Sequence, residues 1–122
     1  MARVYPLRRT STLALRQRKA ALLHRLSLPP QGIRASVVER FGTCGKPACA
    51  CHQGRKHGPY YYLTQCLAPG RMQKFLLKSP DAQQAARAAT DAFNRFYDGL
   101  EELSQINTEL FRRGEPLNGS RS

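Results

Sequence analysis

The sequence predicts an α+β protein: a basic N-terminal helix, a small three-stranded antiparallel sheet with a zinc knuckle, and a long C-terminal helix. Three observations carry this. Apolar residues recur every three or four positions from Ala86 to Leu110, which is helical periodicity. Two runs rich in Tyr, Phe and Leu flank Ala68-Pro69-Gly70-Arg71, which reads as a hairpin. Three cysteines crowd into a Gly- and Pro-rich loop just before that hairpin. The chain of 122 residues allows one compact domain plus an arm or helical extension. Residues 1–32 read as a basic helix or arm, 33–79 as the knuckle and sheet, 80–114 as the long helix, and 115–122 as a disordered tail.

The first helix is capped by Thr10 or Ser11 and runs to about Leu26, where Pro29, Pro30 and Gly32 end it. Leu15, Leu22 and Leu26 form an apolar stripe, while Arg16, Arg18, Lys19 and Arg25 project elsewhere on the cylinder. Such a helix either docks on the domain with its basic side along phosphates, or remains an arm that orders on binding.

Ile33 to Phe41 reads as the first strand, since Val37 and Val38 favour β structure. Pro59 to Leu67 is the second strand and Met72 to Lys78 the third, joined by a turn whose Pro and Gly suit type II geometry. Alternation puts Tyr61, Leu63, Phe75 and Leu77 on a core face under the long helix. Tyr60, Tyr62, Lys74 and Lys78 then share the open face.

Between the first two strands lies C-x4-C-x-C-x5-H: Cys44, Cys49, Cys51 and His57. Zinc takes a tetrahedral shell of thiolate and imidazole, and a turn-rich loop can deliver four such ligands without a large core. The fourth ligand is open on the spacing alone, with His57 ranked ahead of Cys66 and Cys66 ahead of His52. A filled shell leaves no position for an activated water, so the metal reads as structural. The bland alternative is that the thiols merely pack, or that two of them pair.

The long helix opens at Pro80 and Asp81 and ends before Gly114 and Pro116. Leu100, Leu103, Asn107 and Leu110 continue a heptad-like seam, and an Asn there can fix register in a dimer. Apolar Ala85, Ala92, Tyr97, Ile106 and Phe111 widen that face. The first half therefore suits packing on a sheet, and the second half suits pairing with another helix, including that of a second copy.

Charge is segregated along the chain. Residues 1–78 hold 15 Lys/Arg and a single acid, Glu39, whereas residues 79–122 hold 5 Arg and 7 acids. A polyanionic partner, nucleic acid or an anionic surface, follows from that arrangement. Glu39 is expected to pair with Arg40 or Lys46. No run reaches transmembrane length, and an Arg-rich, acid-free N-terminus is the one feature that a transit peptide would share. The cysteine pattern suits a reducing compartment, so the cytoplasm is expected. No carboxylate pair, open metal position or oriented nucleophile emerges, and an enzyme is not expected.

The segment from A-S-V-V-E-R-F-G-T-C-G-K-P-A-C-A-C-H-Q-G-R-K-H-G-P-Y-Y-Y-L-T to E-E-L-S-Q-I-N-T-E-L resembles a family of small uncharacterised prokaryotic proteins. Its members often sit beside transposases or other mobile-element genes. The resemblance runs from about Ala35 to Leu110 and leaves out the N-terminal basic segment. It implies ligands at Cys44, Cys49, Cys51 and His57, and neither Cys66 nor His52 belongs to its pattern. It also implies an accessory role in a mobile element, without a biochemical activity.

Together these readings expect a zinc-stabilised accessory protein that grips DNA or RNA. Its contacts would come from Arg16, Arg18, Lys19 and Arg25 on the first helix, and from Lys46, Arg55 and Lys56 at the knuckle. Tyr60, Tyr62, Arg71, Lys74 and Lys78 on the hairpin would complete them. The competing expectation is an adaptor that holds a transposase, a recombinase or an RNA-guided effector through the long helix.

Overall fold

The computed structural model describes residues 3–43, 45–54 and 56–118, with Cys51 described by its backbone alone. The elements run α1 (Thr12–Arg25), β1 (Ser36–Gly42), a short 3-10 turn (Ala50–Gln53), β2 (His57–Ala68), β3 (Arg71–Leu76) and α2 (Pro80–Arg112). This is the α+β arrangement expected. The chain divides into two compact units, one from the described parts of Met1–Pro30 and Asn94–Ser122, the other from Gln31–Phe93. The α2 helix contributes its first part to the second unit and the remainder to the first.

In the unit Gln31–Phe93, the sheet order is β1-β2-β3 and both pairings are antiparallel. Val38 faces Tyr62 and Arg40 faces Tyr60, while Leu63 faces Phe75 and Thr64 faces Lys74. Directly paired residues share a face, so Tyr61, Leu63 and Phe75 do lie on one side and Tyr60, Tyr62 and Lys74 on the other. The first part of α2 packs on the Tyr61 side. Its Ala86, Ala89 and Thr90 are buried. The Arg87 guanidinium stands 5.5 Å from the centre of the Tyr61 ring.

Three expectations for this unit are corrected. β1 begins at Ser36, because the Ile33 amide donates instead to the Ala89 carbonyl of α2 at 3.1 Å. Phe75 is 50% exposed rather than core, since β3 is an edge strand. Glu39 does not face Arg40, which lies on the opposite side of the sheet; it accepts a hydrogen bond from the Tyr61 hydroxyl at 3.1 Å. The turn is as expected, with Gly70 at φ 76°, where a Cβ would be unfavourable.

In the other unit, α1 packs on the second part of α2. Leu15, Leu22, Ile106 and Leu110 are essentially inaccessible, and Leu7, Leu26 and Leu103 pack around them. The Ser11 hydroxyl accepts from the Ala14 amide, so Ser11 is the cap. The α1 helix is thus docked rather than a free arm. The α2 seam is also corrected: Leu110 and Ile106 serve this internal core, so only part of the seam remains open. Gly99 lies where α1 ends, and a Cβ there would come within 2.6 Å of Leu26.

The α2 terminus closes by a Schellman arrangement. Gly114 sits at φ 76°, its amide donates to the Phe111 carbonyl, and the Glu115 amide donates to the Leu110 carbonyl. Beyond it, Arg16 holds the Glu115 carboxylate at 3.0 Å and the Pro116 carbonyl at 3.2 Å, and Lys19 holds the Leu117 carbonyl. The start of the expected disordered tail is therefore tied to α1. Gly119 to Ser122 lie outside the described residues.

Candidate functional site

The loop between β1 and β2 is built from tight turns. Its Cys49 amide donates to the Lys46 carbonyl, and the His52 amide donates to the Cys49 carbonyl, both at 3.1 Å. Cys49 is the residue that precedes the 3-10 turn, and Gly54 closes that turn at φ 103°, a conformation that glycine adopts without strain. His57 then opens β2 opposite Gly42. These turns bring the Cys49 sulfur to 3.2 Å from His57 Nε2. Two ligands of one tetrahedral zinc stand about 3.6 Å apart, given Zn–S near 2.3 Å and Zn–N near 2.05 Å. The pair therefore fits the group. Cys44 and the Cys51 side chain lie outside the described residues, as does Arg55.

The two rival fourth ligands are placed differently. Cys66 sits near the far end of β2, roughly 30 Å from His57 at about 3.3 Å per residue. It is exposed, and its thiol lies 3.3 Å from the Ala68 carbonyl. His52 is exposed on the 3-10 turn. His57 alone of the three has its ring against Cys49.

The side of the sheet away from α2 gathers Val38 and Arg40 of β1, Tyr60 and Tyr62 of β2, and Lys74 and Leu76 of β3. The Lys74 ammonium stands 4.9 Å from the centre of the Tyr62 ring, a cation–π contact across the hairpin. Tyr60 is 41% exposed. No acid lies on this face among the described residues, because Glu39, the one acid in the sheet, points the other way. Arg40 was missed as a surface cation in the sequence reading. Its alternation with Val38 was the available signal, but only the β1–β2 register fixes which face it takes.

The remaining expected cations scatter. Lys46 and Lys56 are exposed in the loop, and Arg71 is exposed at the start of β3. Lys78 is exposed but falls beyond β3, so it does not continue the Lys74 face. On α1, Arg25 is exposed while Arg16 is engaged by Glu115. Arg18 grips Glu102 through two bonds of 2.6 and 2.7 Å. That bond holds the Glu102 carboxyl below the usual carboxylate range, although burial opposes it. Three of the four expected α1 contacts, Arg16, Arg18 and Lys19, thus have internal partners.

Fold and loop define a small α+β protein with a Cys/His loop beside a basic, aromatic sheet face. Residues 12–66 match the family model described as a domain of unknown function, DUF6788. No curated protein and no solved structure matches the chain. The match begins at Thr12 and takes in α1, which the resemblance drawn from the sequence left out. It also covers β1, the Cys/His loop and most of β2. Among the described residues, no helix is long and apolar enough to cross a membrane.

Proposed function

We propose that this is a zinc-stabilised nucleic-acid-binding accessory protein of a mobile genetic element. It contacts DNA or RNA phosphates with the basic face of its sheet. The observation that carries the reading is the acid-free face bearing Arg40, Tyr60, Tyr62 and Lys74, among the described residues. Cations position the phosphate backbone, and an exposed tyrosine offers a π-face to an unstacked base. The approach of Cys49 to His57 supports zinc, with Cys44 and Cys51 supplying the other thiolates. Metal held there would tie the start of β2 to the preceding loop and so stiffen the end of the sheet nearest Tyr60. The mobile-element role rests on the resemblance alone.

The surface favours the sheet over α1, because Arg16 and Arg18 would have to leave Glu115 and Glu102 to reach a phosphate. A salt titration of binding to single-stranded and duplex DNA and RNA tests the reading. Affinity should fall steeply with salt as each neutralised phosphate releases its counterions. If none of the four binds at physiological salt, the adaptor reading takes its place.

A further inference from the structure

The side of the sheet that bears Arg40, Tyr60, Tyr62 and Lys74 is more apolar than a surface for phosphates alone needs to be. Register places Leu76 opposite Tyr62 and Met72 opposite Cys66 on this same side. Tyr60 is 41% exposed, Leu76 43% and Met72 61%. Against these three stand two cations, Arg40 and Lys74, and no acid among the described residues. β3 pairs no further than Leu76, so Tyr60 has a ladder partner, Arg40, on one side only.

A double helix complements this surface poorly. Its base faces are stacked inside, and it presents outward only phosphates and groove edges. The major groove, about 12 Å wide, admits a two-stranded ribbon, whereas Val38, Tyr62 and Leu76 stand abreast on three strands. That part of the sheet would meet the phosphate ridges and press Leu76 against charge, which desolvates the phosphates without a partner. Beyond Thr64 the hairpin is two-stranded, yet residues 65–73 carry one cation, Arg71. A second copy laid on the face would bring two more cations and no acid to meet them.

We propose that the face takes single-stranded nucleic acid. A base stacks on Tyr60, neighbouring bases rest on Leu76 and Met72, and Arg40 and Lys74 hold the phosphates between them. An unstacked nucleotide joins a flat π-face to a negative charge, the combination that this surface complements. Tyr60 and Cys66 lie about 20 Å apart along β2, room for several unstacked nucleotides. Deoxy- and ribonucleotides share this chemistry. The inference rests on the nucleic-acid reading above and narrows it to single strands.

Fluorescence anisotropy of the full chain with a labelled strand of about 15 nucleotides, and with a hairpin duplex of the same sequence, tests it in both DNA and RNA. At physiological salt the single strand should bind at least about tenfold tighter than the duplex, the worth of one stacked base. Leu76→Ser and Met72→Ser change no charge. Each should weaken single-strand binding by roughly 3- to 10-fold, with duplex affinity, salt slope and circular dichroism unchanged. Tyr60→Phe keeps the π-face and should stay within about twofold of wild type, whereas Tyr60→Leu should lose roughly 5- to 100-fold. A duplex bound as tightly as the single strand would overturn the inference while leaving salt-dependent nucleic-acid binding in place. Binding of none of the four would overturn both and leave the face to an acidic protein. Tyr60→Phe as weak as Tyr60→Leu, or single-strand affinity indifferent to Leu76→Ser, would overturn the inference equally.

Discussion

The Cys49 sulfur lies 3.2 Å from Nε2 of His57, so the loop that separates them in sequence returns on itself to bring thiol and imidazole together. Cys66, near the other end of β2, has no such approach. Zinc should therefore co-purify with the protein at one ion per chain. Cys49→Ser or His57→Ala should abolish stoichiometric zinc by elemental analysis, whereas Cys66→Ser should leave it intact. Chelation should loosen the sheet, because metal binding in so small a unit is folding free energy. Metal-free protein with unchanged amide dispersion would remove zinc from the account.

Stability should depend on acid through two carboxylates that α1 and the α2 terminus hold in charged form. The hydrogen bonds from Arg112 and Arg113 lower the Glu109 carboxyl from 4.5 to about 2, and Arg18 lowers Glu102. Folded-state values below the unfolded value mean that the stabilisation is complete above about pH 4.5. It disappears as the pH falls through the folded value, near 2 for Glu109. Glu109→Gln should flatten the loss of stability across that window in denaturant titrations at successive pH values. An acid limb identical to wild type would mean that the unfolded chain holds Glu109 equally well.

What could be read in advance was set by local rules. The Pro80 start and the Gly114 stop of α2 follow from backbone chemistry, and the Pro69-Gly70 turn follows from φ preferences. Side-chain alternation in the hairpin separated Tyr60, Tyr62 and Lys74 from Tyr61, Leu63 and Phe75, but Lys78 falls beyond β3 and off that face. What was hidden depends on contacts between distant segments. Whether Leu110 faces another molecule or Leu22 of the same chain is a tertiary matter, as is the choice of Glu102 for Arg18. Arg40 joined Tyr60 only through the β1–β2 register, which alternation within one strand does not fix.

Gly58 is fixed by its surroundings. It has φ 138°, and a Cβ there would lie 2.7 Å from Phe41 Cδ1 and 2.9 Å from the Arg40 carbonyl oxygen. Gly58→Ala should cost about 1–3 kcal/mol, from backbone strain and displacement of β1. The same change at Gly45, where no φ strain or neighbour within 4 Å opposes a Cβ, should be nearly neutral. Chemical denaturation of both variants separates the cases, and equal midpoints would show that β1 yields without cost.

Binding variants should distinguish the sheet face from the helix. Lys74 already covers the Tyr62 ring at 4.9 Å, so a base stacking on Tyr62 must displace it, whereas Tyr60 is more openly presented. Tyr60→Ala should cost about 1–3 kcal/mol in single-strand affinity if a base stacks there, and Tyr62→Ala should cost less. Arg40→Gln and Lys74→Gln should each lower the salt slope by about 0.7–0.9 for every phosphate contact removed, with little change in sequence preference. Arg18→Ala should instead lower stability while leaving the slope unchanged, because its guanidinium is spent on Glu102. The measurement is the same salt titration run on all five variants. A slope that falls with Arg18→Ala and stays constant with Arg40→Gln and Lys74→Gln would move the nucleic-acid surface from the sheet to α1.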